Sequence, residues 1–123
     1  MRVVLVGICG SGKSTLARGL RELGYEVREC RQEHSEVPHM WKAISQPDVL
    51  IYLDASEEVI IGRGRRQYFP GLVDDQRRRL SHARAHCDLY VQTDELTEVQ
   101  VLAEVVEFLA GYRPRKPAIW TRF

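Results

Sequence analysis

Short apolar runs alternate along the chain with segments whose apolar positions recur at helical spacing. Residues 1–6 are β-branched and apolar on both faces and lead straight into Gly7, the pattern of a central strand covered on both sides. Leu16, Ala17, Leu20 and Leu23 predict a helix over 13–23, with Gly24 as its left-handed stop. Residues 25–30 set Tyr25, Val27 and Glu29 against Glu26, Arg28 and Cys30, which suits a partly covered strand at a sheet edge. Residues 48–54 form a second buried run ending on Asp54, after which Ser56, Glu57 and Glu58 cap a helix expected to reach about Arg66.

Val73, Gln76, Leu80, Ala83 and Cys87 mark the next helix, and residues 89–93 a fourth strand. Thr97 and Gln100 form a capping box, with Val99, Leu102, Ala103, Val106 and Leu109 as the core stripe of a helix closed by Gly111. Three segments lack this regularity. Residues 31–46 hold no strand, although Pro38 can open a short helix through Met40, Trp41 and Ile44 before Pro47 stops it. Gly62, Gly64, Pro70 and Gly71 loosen the stretch around Tyr68 and Phe69, making 67–72 a mobile connection in which a lid could lie. Residues 112–123 carry Pro114 and Pro117 and no period, with Trp120 and Phe123 as the expected anchors of a packed tail. Strands alternating with helices imply one α/β domain over 1–123, a parallel four-stranded sheet with right-handed crossovers and helices on both faces. The expected strand order is 2-1-3-4.

The composition is that of an ordinary globular chain: 44% apolar and 28% charged, with 18 basic and 17 acidic side chains among 123 residues. This argues against bulk attraction to nucleic acid. The apolar runs are too short to span a membrane and no leader stands ahead of the first strand, so the expectation is a cytoplasmic protein without a membrane partner. Cys9, Cys30 and Cys87 are odd in number and widely spaced, which predicts reduced thiols. Charge is uneven locally: Arg63, Arg65, Arg66, Arg77, Arg78, Arg79 and Arg84 face only Asp74 and Asp75. Residues 87–111 are acidic, which predicts that the last helix lies away from any anionic ligand.

The chemistry concentrates after the first strand. Gly7, Ile8, Cys9, Gly10, Ser11, Gly12, Lys13 and Ser14 fit G-x-x-x-x-G-K-[ST] at every fixed position, between a buried strand and a helix. Gly10 and Gly12 let the backbone curl so that successive amides of the loop point inward at phosphate oxygens, and the helix start adds its positive end. Lys13 supplies charge for the β- and γ-phosphates, Ser14 a hydroxyl for Mg²⁺, and Thr15 a hydrogen bond to the α-phosphate. Arg63, Arg65 and Arg66 follow the third strand by one helix and can fold over a nucleotide at the strand C-termini, with a solvated helix end as the alternative.

With these motifs in place, the chain resembles the small-molecule P-loop kinases, the group of shikimate kinase and the nucleoside monophosphate kinases. The resemblance rests on G-I-C-G-S-G-K-S-T, on I-Y-L-D-A-S-E-E followed by Arg63 to Arg66, and on H-C-D-L-Y-V-Q-T-D-E-L-T-E-V, and it covers residues 1–30 and 48–110. It implies a three-layer P-loop NTPase fold, ATP and Mg²⁺ as cofactors, and phosphoryl transfer. The chain departs from that pattern between its second strand and Asp48, where only residues 31–47 stand in for the Walker B strand and the acceptor-binding subdomain. Asp54 is then a Mg²⁺ ligand if its strand is the Walker B strand. Otherwise Glu29 or Glu33 holds the acidic position that shikimate kinase places near metal and acceptor.

Glu33 could instead accept a proton from an acceptor hydroxyl, with His34 beside it, or cap a turn in a loop pinned by Met40 and Trp41. His82 and His86, four apart and followed by Cys87 and Asp88, could clamp a transition metal, but a helix C-terminus favours histidine anyway. Cys9 is a small spacer or a thiol activated by the helix end. The leading expectation is an ATP- and Mg²⁺-dependent phosphotransferase acting on a small hydroxyl- or phosphate-bearing acceptor. In it Lys13 and the loop hold the triphosphate, Ser14 the metal, Arg63 or Arg66 the transferring group, and Glu33 the acceptor. The alternative is a nucleotide-binding switch or slow NTPase that signals to a protein partner. A nucleic-acid end-processing kinase is a third class, with few stacking aromatics to support it.

Overall fold

The computed structural model describes residues 1–63 and 69–113. Four strands, β1 (Arg2–Gly7), β2 (Glu26–Glu29), β3 (Val49–Asp54) and β4 (Leu89–Gln92), form one parallel sheet in the order β2-β1-β3-β4. This is the order expected from strand–helix alternation. The helices are α1 (Lys13–Glu22), α2 (Met40–Ser45), α3 (Glu57–Gly62), α4 (Leu72–His86) and α5 (Glu98–Gly111), with a single 3₁₀ turn at Gln32–His34 that the sequence pattern did not predict.

Alternation along the strands divides the core. Val3 and Leu5 of β1 and Val49, Ile51 and Leu53 of β3 pack with Leu16, Ala17 and Leu20 of α1 and Val101, Val105 and Leu109 of α5. Val4 and Val6 of β1 and Leu50 and Tyr52 of β3 face the other way, onto Trp41 of α2, Ile60 of α3 and Val73, Leu80 and Ala83 of α4. Helices therefore cover both faces, as a sheet apolar on both sides requires.

Ser56 caps α3 by accepting from the Val59 amide, and Thr97 with Gln100 closes the expected capping box on α5. Other details differ from the pattern reading. The buried stripe of α5 is Val101, Val105 and Leu109, while Val99 is 76% exposed. Adjacent apolar rows on this helix have the same period, and only the angle at which it docks on α1 selects one. On α2, the buried row runs from Trp41 to Ser45 at a step of four, and Ile44, beside that row, is exposed. The helix after β3 is described to Gly62, so Arg65, Arg66 and, of the proposed lid connection, Gln67 and Tyr68 lie outside the described residues. So do Pro114, Pro117, Trp120 and Phe123. Tyr112, at the start of the tail, packs against the α1–α5 core, and its hydroxyl donates to Asp88 Oδ1 at 3.1 Å.

Candidate functional site

The loop from Gly7 to Gly12 joins the C-terminal end of β1 to α1, and two glycines shape it for different reasons. At Gly7 (φ +151°) a Cβ would stand 2.1 Å from the Leu53 carbonyl oxygen, so β3 approaches too closely for any side chain. At Gly12 a Cβ would meet nothing within 4 Å, and the requirement is its φ of +104°, which lets the chain turn directly into α1. Gly7 therefore contributes by steric clearance and does not line the cavity formed by the loop.

That cavity, of about 520 Å³, is lined by the loop from Cys9 to Thr15, by Glu29, Glu33 and His34 on one flank, and by Arg63, Thr93 and Leu96 on the other. The Cys9 amide donates to the buried Gln76 Oε1 at 2.9 Å and the Ser11 amide to the Ile8 carbonyl at 3.2 Å. Cys9 thus reaches the cavity through its side chain, not as an amide donor. The amides of Gly10, Gly12, Lys13, Ser14 and Thr15 have no protein acceptor among the described residues, and the buried Ser11 hydroxyl also lacks a partner. Five amides at the start of a ten-residue helix make a concentrated positive field.

Lys13 Nζ donates to the carbonyls of Gly7 and Ile8 and to Glu33 Oε2 at 2.9 Å, in an ion pair whose side chains are 11% and 5% exposed. The other Glu33 oxygen, Oε1, is buried and unpartnered. Arg63 donates to the Gly10 carbonyl, so this one of the three predicted arginines reaches the loop. Ser14 Oγ donates to Glu29 Oε1 at 2.7 Å. Of the acidic residues proposed to stand near a metal, Glu29 and Glu33 are at the loop and Asp54 is not. Asp54 Oδ2 accepts from the Tyr90 hydroxyl at 2.6 Å, and Oδ1 accepts from the Ala55 amide at 2.9 Å and from Arg77 at 3.3 Å. It does not line the cavity. The Tyr90 hydroxyl, partly buried and next to the Asp54 carboxylate, is pushed up to about 12.

Three arginines of α4 make contacts away from the loop. Arg78 and Arg79 hold Glu36 at 3.1 and 2.8 Å and draw its carboxyl down to about 2. Arg84 lies over the Tyr90 ring at 3.9 Å. The acidic last helix is closer to the site than its charge suggested, since Glu98 and Val101 at its N-terminal end line the cavity. Two supports were missed by the motif reading. Gln76 anchors Cys9 from α4, and Thr93, just after β4, donates from Oγ1 toward the Ser11 carbonyl at 3.2 Å. Gln76 carried a detectable signal, as an amide side chain on the apolar stripe of its helix. The three cysteines are free thiols, and burial raises the Cys30 thiol pKa above its ordinary value. No helix among the described residues is long and apolar enough to cross a membrane. No family model and no curated protein matches the chain.

Proposed function

We propose that this chain is a P-loop nucleotide-binding protein of the small-molecule kinase type, transferring a phosphoryl group from ATP to a small hydroxyl- or phosphate-bearing acceptor. The observation that carries this reading is the convergence on one cavity of five unpaired backbone amides, Lys13 and Arg63. Such a set suits the oxygens of a polyphosphate in number and charge. The amides and Lys13 bind the tail. Arg63, which donates to the Gly10 carbonyl from the C-terminal cap of α3, would hold the transferring group. Ser14 and Glu29 are hard oxygen donors 2.7 Å apart on the cavity wall, a pair suited to Mg²⁺. Bound there, Mg²⁺ would offset phosphate charge. Glu33 and His34 flank the side open to an acceptor, where Glu33 would take the hydroxyl proton once Lys13 has turned to phosphate.

The nucleotide switch is the second reading, favoured by the Lys13–Glu33 ion pair. Phosphate binding at Lys13 releases Glu33, and with it the 3₁₀ turn on which Glu33 lies.

Calorimetric titration with Mg²⁺-ATP tests the common core of both readings. Lys13→Ala is expected to weaken binding by about tenfold or more, the loss of one charge-assisted hydrogen bond; unchanged affinity would overturn the cradle. ADP release only when a sugar, nucleoside, shikimate-like acid or oligonucleotide is supplied supports transfer and identifies the acceptor class. Slow acceptor-independent ADP formation favours the switch.

A further inference from the structure

The lip of the same cavity holds a donor set that phosphate binding does not use. Cys9 Sγ lies 3.4 Å from His34 Nε2, and His34 Nε2 lies 3.8 Å from Glu33 Oε2. The three ligand atoms all fall within 4.8 Å of one another. Zinc bonds of about 2.3 Å to sulfur and about 2.0–2.2 Å to nitrogen and oxygen span a tetrahedron with edges of roughly 3.4–3.6 Å. The sulfur–nitrogen edge is therefore close to formed, and the nitrogen–oxygen edge needs a closure of a few tenths of an ångström. The sulfur–oxygen edge, no longer than 4.8 Å, closes by at most about 1.2 Å, a movement for the part-exposed Cys9 and the half-exposed His34 side chains together.

We propose that Cys9, Glu33 and His34 bind a borderline-soft divalent cation of the Zn²⁺ type, at a site separate from the Ser14–Glu29 pair. A thiolate and an imidazole select such an ion over Mg²⁺, which prefers oxygen donors. Independent support for a missing ligand comes from Glu33 Oε1, buried and unpartnered in a side chain only 5% exposed. The carboxylate is shared: Lys13 Nζ stands 2.9 Å from the oxygen that belongs to the donor set. A cation bound here competes with the ammonium for Glu33 and turns Lys13 toward the cradle. The proposal does not require that the cradle bind a nucleotide.

Titration of the full chain with Co²⁺ alone, followed by absorption, tests it. A thiolate-to-cobalt charge-transfer band should rise to one equivalent and persist in excess Mg²⁺. Cys9→Ser should abolish the band. His34→Ala, at an exposed position that folding does not depend on, should weaken Co²⁺ affinity by about tenfold or more. Cys87→Ser, the control at the other half-exposed thiol, should leave the band intact. Lys13→Met should tighten Co²⁺ while weakening ATP, so failure of the metal site and failure of the nucleotide reading are separable. Absence of the band in the native chain overturns the proposal, as does its persistence in Cys9→Ser or unchanged affinity in His34→Ala. Unchanged or weaker Co²⁺ binding in Lys13→Met overturns the sharing of Glu33.

Discussion

Alternate residues of β1 and β3 serve both faces of the sheet, yet the layers they support are chemically unlike. Under α1 and α5 the buried cluster is aliphatic: Val3, Leu5, Leu20, Ile51, Val105 and their neighbours. Under α2 and α4 the apolar contacts are threaded with buried amides. Gln32 donates to the Val37 carbonyl at 2.7 Å and accepts the Trp41 amide at 2.9 Å, while Gln76 accepts the Cys9 amide at 2.9 Å. An apolar layer is stabilising but indifferent to small shifts of its members, since dispersion and hydrophobic burial have no preferred direction. A buried amide is directional and costly to leave unpaired. Gln76, on the α4 face, is thus able to fix the position of a backbone group in the glycine loop.

The largest effect should come from the apolar face. Leu20→Ala removes a fully buried side chain between α1 and the sheet and should cost about 2–5 kcal/mol in denaturant unfolding. The folded fraction should bind ATP as the native chain does. Gln76→Ala should cost less, about 1–3 kcal/mol for the unpaired Cys9 amide, but should weaken ATP binding because the loop loses its anchor. If both variants change stability and affinity in the same ratio, the division of labour between the faces is wrong.

The parts of this arrangement legible in the sequence are those encoded locally. The glycine spacing, the lysine and the flanking strand and helix are all set within residues 2–22, and the parallel sheet follows from alternation. The acidic partner of Ser14 was not settled because it depends on which face a strand-end residue takes. Asp54 follows Leu50 and Tyr52 at steps of two, which turns it to the α4 side, toward Tyr90 and Arg77. Glu29 pairs in register with Leu5 and shares the face of Val27, beside α1 and Ser14. That parity was readable in the alternation. The anchoring of the loop by Gln76 and Thr93 was not, because it joins residues 67 and 82 positions apart, and no periodicity within one segment reports it.

The smallest effect distinguishes the faces by their response to acid. Trp41 Nε1 can only donate, and it does so to His82 Nδ1 at 3.1 Å, which requires the neutral imidazole. Burial first, and then the nearby His86, His39 and Lys42, hold the His82 pKa below its ordinary value of 6.5. The folded chain therefore binds fewer protons at this site than the unfolded one. The resulting stability is complete above pH 6.5 and is lost as pH falls through the depressed folded value. His82→Gln keeps an acceptor for Trp41 and removes the titration, so its thermal midpoint should fall less steeply on acidification than that of the native chain. Leu20→Ala should lower the midpoint while leaving the pH profile parallel to the native one, since the buried members of its cluster are aliphatic. A His82→Gln profile parallel to the native one would show that the polar face carries no pH-sensitive contact at Trp41.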